Sequence, residues 1–74
     1  MTPTQSKMAR AGLQWTLDDL AAASSVSRMS CIRFESGGSV SPETSIAIKR
    51  ALESAGAEFV GRAGRIGVTV EEKR

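Results

Sequence analysis

Residues 16–35, TLDDLAAASSVSRMSCIRFE, constrain the fold more tightly than any other stretch of the chain. Apolar residues at Leu17, Leu20, Ala21, Val26, Cys31 and Phe34 form a frame broken at Ser24-Ser25, too short a break for anything but a tight turn. Leu17, Leu20 and Ala21 share one helical face, Cys31 and Phe34 a second, and Val26 fills the angle between them. Two short helices at a fixed crossing, the second carrying Arg28 and Arg33 outward, have the geometry that sets a helix into a DNA major groove. The stretch reads as a helix-turn-helix.

Capping residues extend the pattern on both sides. Thr2-Pro3-Thr4-Gln5 offers an N-cap, a proline at the first helical position and a capping-box glutamine. A first helix then runs to about Leu13, with Met8, Ala11 and Leu13 available to a core. Thr16 caps the second helix, whose first turn holds Asp18 and Asp19, where the helix dipole favours carboxylates. Ser27 caps the third, which ends before Gly37-Gly38. Ser41-Pro42-Glu43 opens the fourth, and Ile48, Ala51, Leu52 and Ala55 keep helical spacing until Gly56 stops it.

The residues Thr16, Leu17, Leu20-Ala21, Ser25, Val26-Ser27, Phe34-Glu35 and Gly37 resemble the frame of the Cro and phage-repressor type of helix-turn-helix domain, the XRE family. The resemblance covers roughly residues 3 to 55. This chain departs from the pattern in three places: Leu17 stands for a Gln, Ser25 for the turn Gly, and Cys31 for a branched aliphatic. The resemblance implies a mainly α fold, a four-helix lambda-repressor-like domain over residues 1–56. It also implies that Arg28, Met29 and Arg33 face base edges, where an Arg can bond guanine N7 and O6 and a Met can lie on a thymine methyl. Thr16, Ser27 and Ser30 are the phosphate candidates, although capping alone accounts for these hydroxyls. Leu17 cannot supply the amide of the usual Gln. Arg10 and Glu35 match two positions that form a largely buried ion pair in that family, a structural role.

Composition narrows the alternatives. Seventy-four residues make one small domain with little room for a buried catalytic cleft. There is no histidine and one cysteine, which removes histidine acid-base chemistry, a Cys/His zinc cluster and an internal disulfide. The expectation is a non-enzyme without cofactor or metal. A net charge of +2 permits nucleic acid as a partner without requiring it. The chain has neither a membrane-length apolar run nor a signal-peptide core at its start, so a soluble, cytoplasmic protein is expected. Cys31 fits the inward slot of its helix as a small hydrophobe rather than a redox sensor. Trp15 fits a packing role at the junction of the first two helices.

After Gly56 the period changes. Glu58-Phe59-Val60 and Ile66-Gly67-Val68-Thr69-Val70 have strand composition, and residues 61–65 between them are turn-like. A C-terminal β-hairpin and tail over residues 57–74 is expected, with residues 71–74 frayed. A lone hairpin is marginal in water, so it must pack on the helices or pair with a second chain. The expectation is a homodimer on double-stranded DNA, with Phe59, Val60, Ile66, Val68 and Val70 at the interface and Arg62 and Arg65 at the turn. Met29 and a partly exposed Ile32 make the recognition surface unusually apolar. A second reading is therefore a protein-binding module that captures a transcription factor or a toxin. A third is a structural module built around the hairpin.

Overall fold

The computed structural model describes residues 1–72; the last two residues of the expected frayed end lie outside the described residues. Four helices are followed by one antiparallel hairpin: α1 Pro3–Leu13, α2 Leu17–Ser24, α3 Arg28–Glu35, α4 Pro42–Ser54, β1 Glu58–Arg62 and β2 Arg65–Thr69. Each helix begins where its cap predicts. Thr2 and Gln5 exchange side-chain-to-backbone bonds across the first turn of α1, and Thr16 and Asp19 do the same for α2. Ser27 and Ser41 accept from the backbone N–H groups of Ser30 and Thr44.

The helix ends rest on left-handed residues. Gly37 and Gly56 take positive φ after α3 and α4, as glycine does without strain. After α4 the Gly56 and Ala57 N–H groups return to the Glu53 and Leu52 carbonyls, which turns the chain into the hairpin and buries Ala57. Gln14 and Ser25 hold the same conformation, at φ 60° and 59°, although each carries a Cβ. Such a residue costs on the order of 1 kcal/mol relative to glycine. Ser25, standing for the turn glycine of the resemblance, therefore adopts the conformation that glycine would take.

The core is built from Ala9, Leu20, Cys31, Phe34, Ile48, Leu52 and Ala57. Leu13, Trp15, Leu17, Ala21 and Val26 pack against it, half-buried. The expected core face of α1 needs correcting. Met8 is 38% exposed and Ala11 is exposed, while Gln5, Ser6 and Ala9 are buried. Two of those three are polar, which is why apolar spacing misplaced the face. Each has a specific partner. The Gln5 amide donates to the Val60 carbonyl at 2.9 Å and the Gly67 carbonyl at 3.1 Å, clamping both strands to α1. Ser6 donates to Glu35 Oε2 at 2.8 Å.

The hairpin is tighter than the sequence suggests. Its turn is Ala63-Gly64 alone, both at positive φ, and Arg62 and Arg65 form the closing pair instead of lying in a five-residue loop. Positive φ at both central residues suits the right-handed twist of the strands. Phe59 pairs with Val68 and both pack on the core, as does Val70, whose methyls lie where a Cβ on Gly12 would stand. Glycine at position 12 lets the chain after β2 lie close along α1.

Arg10 and Glu35 tie these parts together. Glu35 is 5% exposed and accepts from Arg10 Nε at 2.8 Å, Arg10 Nη2 at 2.6 Å and the Ser6 hydroxyl. Arg10 also donates to the Trp15 carbonyl at 3.2 Å. Arg10→Met is expected to cost ~3–5 kcal/mol in denaturant unfolding by stranding a buried carboxylate. Adding Glu35→Leu should recover most of that loss, and adding Ser6→Ala more, because the Ser6 hydroxyl loses its acceptor. Strictly additive losses would show that the pair is not coupled.

Candidate nucleic-acid interface

The candidate surface is the outward side of α3 with the edges of α2 and the loop after α3. At roughly 100° per residue, the buried residues Cys31, Phe34 and Glu35 fix the inward direction of α3. Met29, Arg33 and Ser36 then project most directly away from the core, and all three are exposed. Met29 is 69% exposed, more than any other large apolar side chain among the described residues. Arg28 leans toward the flank of α3 that faces α2, and the half-buried Ile32 lies between the outward stripe and the core.

The three proposed base readers are therefore not equivalent. Arg28 Nε lies 3.0 Å from Asp18 Oδ1, an exposed ion pair between the first turns of α3 and α2. Both side chains are largely exposed, so the pair is weak, but it draws Arg28 back toward α2. Arg33 makes no salt bridge among the described residues, and its aliphatic stem crosses the loop after α3. A Cβ on Gly38 would stand 2.8 Å from Arg33 Cγ, so only glycine leaves room for that pose. Sequence reasoning missed both Asp18 and Gly38. The i to i+10 separation of Asp18 from Arg28 is not a helical spacing, and Gly38 reads as no more than a helix stop.

The hydroxyl candidates are engaged in capping. Thr16 Oγ1 accepts from the Asp19 N–H, Ser27 Oγ accepts from the Ser30 N–H, and the Ser27 hydroxyl donates to Ser30 Oγ at 3.0 Å. Thr16 and Ser27 are exposed and Ser30 is half-buried. Their oxygens fix the starts of α2 and α3, and only the remaining hydroxyl protons are open to an external acceptor. The Asp19 carboxylate accepts from the Thr16 N–H at 2.8 Å, so the α2 N-terminus already carries an anion.

Behind the surface, the hydrogen bonds to Glu35 raise the Arg10 pKa further, against the cost of partial burial. Arg10 is consumed structurally and is not directed at the candidate surface. Burial pushes the Cys31 thiol above its usual value, partly opposed by the Ser24 hydroxyl. Among the described residues no group of three or more His, Cys, Asp and Glu could hold a metal ion, and no helix is long and apolar enough to cross a membrane. The expected interface residues of the hairpin divide in two. Phe59, Val68 and Val70 pack on the chain's own core, whereas Val60 and Ile66 remain 47% and 43% exposed.

No protein-family model matches the chain, and no curated protein matches it.

The Cys31 environment has a measurable consequence. The folded chain holds the thiol proton more tightly than the unfolded chain does. That stabilisation is whole below the unfolded thiol pKa of about 8.5 and is lost as pH rises through the higher folded value. A thiol reagent such as Ellman's is expected to modify Cys31 only as fast as the chain opens. Rapid labelling under native conditions would place the thiol at the surface.

Proposed function

We propose that the chain is a phage-repressor-like, sequence-specific DNA-binding regulator that inserts α3 into the major groove of operator DNA and works as a homodimer. The observation that best supports the reading is the division of α3 into two faces. Cys31, Phe34 and the Arg10-bound Glu35 fasten one face to the core, and the other presents Met29 and Arg33, which has no ion-pair partner among the described residues. A rigid helix with an extended cation and an apolar contact on its outer face suits base edges: Arg33 for guanine, Met29 for a thymine methyl. Thr16 and Ser30 keep hydroxyl protons for phosphates, Ser27 contributes only by giving up its bond to Ser30 Oγ, and Arg28 joins them when it leaves Asp18. In this reading the chain catalyses nothing and needs no cofactor, and its site of action is the cytoplasm. Residues 1–56 carry recognition and residues 57–74 carry assembly.

The Asp18 carboxylate and the bare Met29 side chain favour a second reading, a protein-binding surface that captures a transcription factor or a toxin. Phosphates are repelled by a carboxylate, whereas a protein partner can use both features. The two readings differ in salt response, since counterion release makes DNA affinity fall steeply with salt and apolar capture does not.

Selection from a random duplex pool at two salt concentrations tests the first reading. It should return a defined, symmetric motif whose binding weakens sharply at the higher salt; a pool that stays random would overturn DNA reading. On that motif, Arg33→Ala should cost ~1–3 kcal/mol and relax preference at one base pair of each half-site. Uniform weakening across sequences would confine Arg33 to phosphate.

Asp18→Asn separates the two readings more directly. Removing the carboxylate releases Arg28 and takes a negative charge off the surface. DNA affinity at low salt should rise by up to about fivefold, the equivalent of an exposed ion pair worth up to ~1 kcal/mol. An unchanged or lower DNA affinity would mean that this edge does not face DNA.

A further inference from the structure

The hairpin carries an unfinished edge. Gly67 stands opposite Val60 and Ile66 opposite Gly61, with Arg62 and Arg65 closing the ladder. In a two-residue hairpin the closing pair exchanges backbone bonds, so Val60 and Gly67 do so as well, and Phe59 and Gly61 turn their N–H and C=O groups to the outer edge of β1. No backbone hydrogen bond joins β1 to any element other than β2 among the described residues. Arg62 and Arg65 are like charges directly opposed, an arrangement that destabilises a ladder. Neither has an acidic partner among the described residues, and Glu58 at the other end of β1 has no basic one.

We infer that β1 pairs with β1 of a second copy, antiparallel and centred on Val60. The inference rests on the homodimer in the reading above and specifies its contact. Strand β1 reads Glu58-Phe59-Val60-Gly61-Arg62. A two-fold through Val60 sets Glu58 against Arg62 of the second copy and Arg62 against its Glu58. Both ion pairs form together, and each brings a carboxylate to the Arg62–Arg65 repulsion. Phe59 faces Gly61 of the other copy, and these two residues are the ones whose backbone groups point outward, so the register also satisfies the open edge. The bare glycine opposite leaves the core-packed Phe59 side chain undisturbed. Val60 meets its own copy, covering side chains that are 47% exposed in the single chain.

The alternative edge offers less. Self-pairing of β2 about Gly67 would set Arg65 against Thr69, with no charge match, and β2 is the strand that runs along α1. Pairing through β1 leaves the packing of β2 on α1 in place, and Glu58, Val60, Gly61 and Arg62 are exposed in the single chain. A five-residue edge buries less than a standard interface, so dissociation in the micromolar range, on the order of 10⁻⁵ M, is expected.

Sedimentation equilibrium of the full chain without DNA, at low salt and up to a few hundred micromolar (~10⁻⁴ M), tests the inference, with circular dichroism to confirm folding. The intact chain should dimerise. Arg62→Glu alone and Glu58→Arg alone should each weaken the dimer about tenfold by setting like charges opposite one another. The double exchange Glu58→Arg with Arg62→Glu should restore it, since the opposite-charge pairs re-form in reverse. A monomer throughout this range, or a dimer indifferent to both single exchanges, or a double exchange no better than the singles, overturns the β1 register. DNA binding is scored separately on the selected motif. A dimer that follows the charge pattern without DNA affinity retains the register and refutes the DNA reading. A chain that binds the motif yet fails the exchange test retains the DNA reading and refutes the register.

Discussion

Glu35 is the constraint on which the rest of the helical body depends. It is the last residue of α3, it is buried, and a buried carboxylate is tolerated only when its oxygens are bonded. Arg10 supplies two of the three bonds in a bidentate fork, Ser6 supplies the third, and the same guanidinium reaches the Trp15 carbonyl between α1 and α2. One charge therefore positions α1, α3 and the entry to α2 relative to one another. A hydrophobic replacement can match such a pair in free energy, but it has no preferred direction. What the pair contributes is orientation, and the orientation of α3 decides which side chains face outward.

The same economy governs the hairpin. With so few large apolar side chains, the chain cannot cover two strands by burial alone. Gln5 does part of that work with hydrogen bonds to the Val60 and Gly67 carbonyls, and Phe59, Val68 and Val70 do the remainder. That arrangement covers one end of the hairpin and leaves the turn end exposed. The glycine at position 12 and the left-handed Ala63-Gly64 turn are the local conditions for it: one lets Val70 approach α1, the other matches the strand twist.

Elements that follow from nearest neighbours were legible in the sequence. The four helix starts were readable from Thr2, Thr16, Ser27 and Ser41, because a cap is a short-range hydrogen bond with a fixed offset. Helix stops at Gly37 and Gly56 were readable for the same kind of reason. The family resemblance placed Arg10 against Glu35, which spacing alone could not do. Features that need the third dimension were not legible. Polar Gln5 and Ser6 point inward because their partners arrive from 29 to 62 positions away, so hydrophobic spacing named Met8 and Ala11 instead. The strand ends were misjudged because Arg62 and Arg65 look like turn residues until their pairing is known. At the candidate surface, Met29 and Arg33 were readable as outward, whereas the capture of Arg28 by Asp18 was not.

That capture changes how the surface must work if it reads DNA. Asp18 lies in the first turn of α2 with Arg28 Nε 3.0 Å from its Oδ1. A phosphate approaching this edge meets a carboxylate first and gains Arg28 only by displacing it. With Leu17 in place of an amide, the α2 edge adds little attraction of its own. Affinity from a single copy is then carried mostly by Arg33 and a handful of hydroxyl contacts, too few for tight binding when each good bidentate pair contributes only ~1–3 kcal/mol. Two copies on adjacent half-sites relieve this weakness, because the second binds at the effective concentration set by the first. On the proposed reading the sparse outer face of α3 and the open edge of β1 answer one another, because pairing through β1 brings two such faces to one stretch of DNA.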